Sequence, residues 1–132
     1  MKTNLTLVLI LILACGSILQ AKGQTTQQFK LQVNEQKTIT KDKLKIRFIS
    51  VIEDSRCPEG TNCVWAGNAK VHLKLKKRNG AWEIFELNTN LEKKEIRFGG
   101  YAIKIVELTP TPKSNVRINR NGYVATFSIT KS

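Results

Sequence analysis

From Phe29 onward, apolar side chains recur at nearly every second position, and no long stripe with a helical period is found after residue 23. Phe29, Leu31 and Val33 alternate with Lys30 and Gln32; Leu44, Ile46 and Phe48 alternate with Lys43, Lys45 and Arg47. Ala69, Val71, Leu73 and Leu75 alternate with Lys70, His72, Lys74 and Lys76. Ile96 and Phe98, then Tyr101, Ile103 and Ile105, then Tyr123, Ala125, Phe127 and Ile129 continue the pattern. Successive strand side chains point to opposite faces, so this period predicts strands with one face in a core and one in water. Two stretches depart from it. Ile49, Ser50, Val51 and Ile52 read as buried on both faces, and Trp82, Ile84, Phe85 and Leu87 read as a strand carrying a bulge. The set amounts to seven or eight short strands, which predicts an all-β fold, a single antiparallel β-sandwich or small barrel.

Turn chemistry supports hairpins. Asn79-Gly80 and Asn121-Gly122 are the pairs expected in type I′ turns, whose two central residues need positive φ. Gly99-Gly100 and Asn88-Thr89-Asn90 mark further turns, and Pro110 and Pro112 predict that residues 109–114 form an extended loop.

The first 23 residues read differently. Lys2 precedes an uninterrupted apolar run from Leu5 to Ala14, and Ala21-Lys22-Gly23 has the small residues of a signal-peptidase site. The expected organisation is a signal peptide over residues 1–23 and one β-domain over residues 24–132. An alternative exit is the lipobox-like Ile12-Leu13-Ala14-Cys15, in which residues 1–14 are a lipoprotein signal and Cys15 is lipidated. Either exit places the domain in the periplasm or outside the cell, anchored to the outer membrane if Cys15 carries lipid. Cleavage after Gly23 removes one of the three cysteines and leaves Cys57 and Cys63, an even pair in an oxidising compartment.

That pair lies in the sequence Glu53-Asp-Ser-Arg-Cys-Pro-Glu-Gly-Thr-Asn-Cys-Val-Trp-Ala-Gly67. Cys57-Pro58-Glu59-Gly60 has type I turn chemistry, and a bridge would pin a long loop between two core strands. A zinc site from Cys57, Cys63, His72 and a carboxylate of Glu53 or Asp54 is the alternative. Lys70 and Lys74 flank His72 and oppose a cation there, which favours the disulfide. Copper of the blue type needs two histidines, and the chain has one. No cofactor is expected. Glu53, Asp54, Arg56 and Trp65 form a candidate binding loop; the competing reading pairs Arg56 with Glu53 or Asp54 and uses Trp65 as core.

The run Asp54–Pro58, Cys63 and Val64–Gly67 resembles a motif of uncharacterised exported bacterial β-domain proteins and lipoproteins, and Leu108-Thr-Pro-Thr-Pro112 is a less specific second landmark. The resemblance implies a compact β-domain outside the cytoplasm and carries no activity with it. The short disulfide loop also differs from the immunoglobulin bridge, which joins two sheets across a long stretch of sequence.

Catalysis finds little support. A base at His72 would have to become an imidazolium between two lysines. Glu53, Asp54, Glu83, Glu86 and Glu107 offer no spacing that singles out a carboxylate pair for a small hydrolase, and there is no phosphate-binding loop or dinucleotide fingerprint. A non-catalytic binding or interaction module of the bacterial cell envelope fits better, since rigid β-scaffolds carry function on their loops. Cleavage after Gly23 removes Lys2 and Lys22 and lowers the formal charge from +12 to +10, which argues against inhibition of a basic lysozyme.

Charge suggests a second kind of partner. Alternation places Lys43, Lys45 and Arg47 on one side of a strand, and Lys70, His72, Lys74 and Lys76 on one side of another. If the strands share a sheet, these residues form a candidate polyanion face. The bland reading is a solvated face that discourages edge-to-edge aggregation. The expected partners are thus an envelope protein, or an anionic glycan or lipid. Nucleic acid is disfavoured because no aromatics interleave with the lysines, and membrane association would require lipid on Cys15 or contact through the basic face.

Overall fold

A computed structural model describes residues 21–39, 41 and 43–132. Residues 1–20, which hold most of the expected signal segment 1–23 and Cys15, lie outside the described residues. Among the described residues, eight strands account for nearly all regular structure: β1 (Thr26–Gln32), β2 (Gln36–Ile39), β3 (Leu44–Asp54), β4 (Ala69–Lys76), β5 (Glu83–Asn88), β6 (Glu95–Phe98), β7 (Tyr101–Thr109) and β8 (Val124–Lys131). They form two four-stranded antiparallel sheets, ordered β1-β8-β7-β6 and β2-β3-β4-β5. The sheets do not close on each other, so the architecture is a β-sandwich. No described helix is long and apolar enough to cross a membrane.

The alternation works as read. Leu44, Ile46 and Phe48 of β3 and Val71, Leu73 and Leu75 of β4 are almost wholly buried, as are Ile103, Ala125 and Phe127 of the other sheet. Phe48 and Phe127 meet edge to face across the two layers, with ring centroids 5.9 Å apart. The chain passes between the sheets at Val33–Glu35, where the Val33 amide donates to Tyr123 of one sheet connection and the Asn34 amide to Phe48 of the other sheet.

Three local expectations are corrected. Ile49–Ile52 is not buried on both faces: β3 shifts register at Phe48/Ser50 and at Val51/Glu53, Val51 is half-buried, and Ile52 is 43% exposed. β5 carries no bulge; it runs in unbroken register with β4, and Ile84 simply turns outward opposite Lys74. The third concerns turns. Neither Asn-Gly pair has positive φ, whereas Gly99 (φ 59) and Gly100 (φ 82) do and join β6 to β7 directly. Asn121-Gly122 instead ends a short 3-10 turn capped by Asn119, because the strand before it stopped at Thr109 and left no two-residue hairpin to close.

One end of the sandwich gathers the connections 55–68, 89–94 and 110–123. The ends of β1 and β8 at Thr26 and Thr130 lie opposite, so the N-terminal lead-in enters at the far end from these loops.

Candidate functional site

The long connection between β3 and β4 is a continuation of their ladder. Beyond the last strand pair, Asp54 and Ala69, the Ser55 amide donates to Asn68 (2.8 Å) and the Cys57 amide to Ala66 (2.9 Å). Pro58 starts the turn at the tip, where Thr61 donates its amide and its hydroxyl to the Pro58 carbonyl. The Cys57–Cys63 disulfide closes the tip with a Cα separation of 5.9 Å. Both thiols are therefore consumed by the bridge, and no group of three His, Cys, Asp or Glu among the described residues is placed to hold a metal.

Two residues at the base explain why the loop keeps this path. Gly67 has φ +73, and a Cβ there would lie 1.9 Å from the Ser55 carbonyl oxygen, inside van der Waals contact. Next to it, buried Asn68 donates to the Asn88 side chain (3.0 Å), while its own side-chain oxygen accepts the amides of Asn90 (3.0 Å) and Leu91 (3.3 Å). The loop after β5 is thereby fastened to the disulfide loop. Sequence pattern alone did not single out Asn68; its place directly after the glycine was the available signal.

Asp54 and Arg56 form the second fastening. Arg56 grips both carboxylate oxygens of Asp54, from Nε at 2.8 Å and from a terminal nitrogen at 2.7 Å, and both side chains are about nine-tenths buried. The Tyr123 hydroxyl donates to Asp54 at 2.9 Å. Burial pushes the Asp54 carboxyl up, but the hydrogen bonds from Arg56 and Tyr123, together with the Arg56 charge, outweigh it and hold the group below its ordinary value. For Tyr123, burial first and the Asp54 carboxylate second push the phenol up to about 12. Each Asp54 oxygen already accepts two donors, with the Arg56 backbone amide as the fourth, so the carboxylate is saturated from within the protein.

The remaining guanidinium hydrogens reach the other sheet, at the end of β7 and the start of the connection that follows it. Arg56 donates to the carbonyl of Leu108 and, at 2.8 Å, to that of Pro110. The Glu59 amide donates to Pro112 at 2.8 Å, and Lys113 lies 3.9 Å from the Glu59 carboxylate. The two sequence landmarks, Asp54–Gly67 and Leu108–Pro112, are thus one structural unit at one end of the molecule.

This arrangement divides the candidate loop. Asp54 and Arg56 face inward and hold the fold, while Glu53 turns outward near Lys70 (3.7 Å). Trp65 is not core: it is 56% exposed, beside Val64, which is fully exposed. A loop whose backbone is fixed by a disulfide, a ladder and two side-chain clusters therefore presents two apolar side chains to solvent. Val64 lies within the motif, but sequence alone does not say which side of a loop faces water. Beside the cluster, a groove of about 290 Å³ runs between Ile52, Val116, Ile118 and Tyr123.

The structure brings some of the candidate basic residues together and not others. β3 and β4 do share a sheet, with Lys45 opposite Lys76 and Arg47 opposite Lys74. Lys43 leaves the pattern: it precedes the strand in a turn with φ 50. Lys70 is offset by Glu53 and by Glu86 (3.6 Å), and His72 stands 3.7 Å from Glu86, an ion pair when the imidazole is protonated. Glu86 lies on β5, opposite His72, so acids of two neighbouring strands neutralise the half of the face nearest the disulfide loop. No protein-family model, curated protein or solved structure matches the chain.

Proposed function

We propose that this domain is an exported, non-catalytic interaction module of the cell envelope, and that it meets a protein partner through the loop end bearing Val64 and Trp65. The observation that carries the reading is the contrast inside one loop. Asp54, Arg56 and Asn68 spend their hydrogen bonds on the fold, yet fully exposed Val64 and 56% exposed Trp65 stand on the same fixed backbone. An aromatic anchor held rigidly loses little conformational freedom on binding, and such anchors dominate protein interfaces. The motif's resemblance to exported bacterial domains and the apolar leader support the location. The lead-in at the opposite end leaves this loop end pointing away from any tether.

The test is site-specific photocrosslinking in the producing cell, with a benzophenone amino acid in place of Val64 and, separately, in place of exposed Val106 of β7. A discrete adduct in the envelope fraction from position 64 and not from position 106 is the expected result. Adducts from both positions alike, or from neither, would refute the reading.

A further inference from the structure

A second surface, remote from the loop end, carries a different chemistry. On the outward side of the β2-β3-β4-β5 sheet, Lys45 opposes Lys76 and Arg47 opposes Lys74. Strand geometry puts these four at the corners of a rectangle of about 5 by 7 Å at the Cα atoms. Like charges directly opposite on a sheet repel and destabilise it. None of the four forms an ion pair with an acid among the described residues, although on the same face Lys70 is paired with Glu53 and Glu86. The charge is concentrated in the half of the face away from the disulfide loop.

The flanking strands complete the patch. On one side, β5 supplies Ile84, opposite Lys74 and 62% exposed, and its lead-in supplies Trp82, 37% exposed with the Lys76 ammonium 6.0 Å from its ring centroid. On the other side, β2 supplies Gln36 opposite Arg47 and Thr38 opposite Lys45. Across the sheet the order is neutral hydrogen-bonding groups, two columns of cations, then an aromatic and an aliphatic side chain.

We propose that this patch binds an anionic polysaccharide, with Lys45, Arg47, Lys74 and Lys76 on its carboxylate or sulfate groups and Trp82 against a sugar ring. Three observations favour this occupant. Cations fixed on strands at regular spacing complement a polymer whose charges recur, and Gln36 and Thr38 suit its hydroxyls. A bilayer is engaged by apolar groups that project beyond the charges, whereas Trp82 is only 37% exposed and, with Ile84, is confined to the β5 edge of the patch, the opposite edge being polar Gln36 and Thr38. Single-stranded nucleic acid takes a series of stacking aromatics, and the patch has one.

The experiment uses the purified protein, with heparin oligosaccharide and polygalacturonate as probes, titrated calorimetrically at several salt concentrations. Lys45→Gln with Lys76→Gln should weaken glycan binding at least ~10-fold and flatten the log–log salt dependence by about one unit per cation removed. Lys30→Gln with Arg117→Gln removes the same charge elsewhere and should change affinity less than about 3-fold. Equal losses in the two double variants would overturn the site. Removing opposed like charges should leave thermal stability unchanged or raised; should the first pair fail to fold, Arg47→Gln with Lys74→Gln asks the same question. Trp82→Ala should weaken both glycans and leave inorganic polyphosphate unaffected, and an equal effect on all three would remove the sugar from the proposal. Tighter binding to phosphatidylglycerol vesicles than to either glycan would overturn it in favour of a membrane.

Discussion

Arg56 and Leu108, 52 residues apart, are joined by a hydrogen bond from the guanidinium to the Leu108 carbonyl. With its grip on Asp54 and its bond to Pro110, the same side chain couples the two sheets' longest connections. The fork geometry matters as much as the charge, because four acceptors in different directions are served by one planar group. Arg56→Ala strands a nearly buried carboxylate and should cost about 3–4 kcal/mol. Arg56→Lys keeps the charge but cannot reach both Asp54 and the two carbonyls, so it should recover less than half of that loss. Chemical denaturation of the three proteins checks both expectations.

The Asp54–Tyr123 contact sets how stability depends on pH. The Asp54 carboxyl is held below its ordinary value of 3.8 in the folded protein. Its contribution is therefore fully present above about pH 4–5 and is lost as pH falls through the depressed folded value. Tyr123 has the opposite sign: its phenol is raised from 10.0 to about 12, so its contribution is present below pH 10 and is lost as pH rises toward 12. Tyr123→Phe should remove the alkaline loss associated with this residue and shift the acid transition to higher pH, since Asp54 loses a donor. Melting temperatures across pH 2–12 for the two proteins read out both limbs; an unchanged acid limb in Tyr123→Phe would contradict the assignment.

The bridge should matter locally. A seven-residue ring corresponds to roughly 2–2.5 kcal/mol in the chain-entropy picture, and Cys57 and Cys63 lie at the tip, outside the core. Cys57→Ser with Cys63→Ser should leave a folded sandwich. The amides of residues 58–65 should then exchange with solvent faster, while those of β4 and β8 keep their protection. Hydrogen exchange measured on the oxidised and serine forms separates this outcome from global unfolding.

Much of the fold is legible in the sequence because a half-buried strand has to alternate. Leu44, Ile46 and Phe48, or Val71, Leu73 and Leu75, point inward wherever their strand pairs. What the period does not reveal is why alternation fails. The break after Phe48 looks like a strand buried on both faces, yet two register shifts produce it. The break around Ile84 looks like a bulge and is only an apolar residue facing water. The site is legible in the same uneven way. Residue type marks Asp54 and Arg56 as a pair, but their inward role depends on carbonyls more than fifty residues away. The strand period likewise groups Lys70 and His72 with the other cations, and Glu86 from the next strand removes them from that group.

Gly67 offers the sharpest test of why the disulfide loop follows its path. Gly60 and Gly67 both have positive φ, 77° and 73°, so alanine at either carries the ordinary left-handed penalty of about 1 kcal/mol. Their surroundings differ. Gly60 has nothing within 4 Å of a new Cβ, whereas at Gly67 that carbon would sit 1.9 Å from the Ser55 carbonyl oxygen and 2.7 Å from the Arg56 Cα. Both obstacles are backbone and cannot rotate away. They belong to the rung in which Ser55 pairs with Asn68, so relieving the clash must part the loop at its base. Gly60→Ala should therefore cost about 1 kcal/mol, and Gly67→Ala at least about 3 kcal/mol. The larger loss should come with faster exchange at Asn90 and Leu91, whose amides depend on the Asn68 side chain. Equal destabilisation by the two substitutions would mean that backbone conformation, not the close approach of the two chain segments, is what the glycine provides.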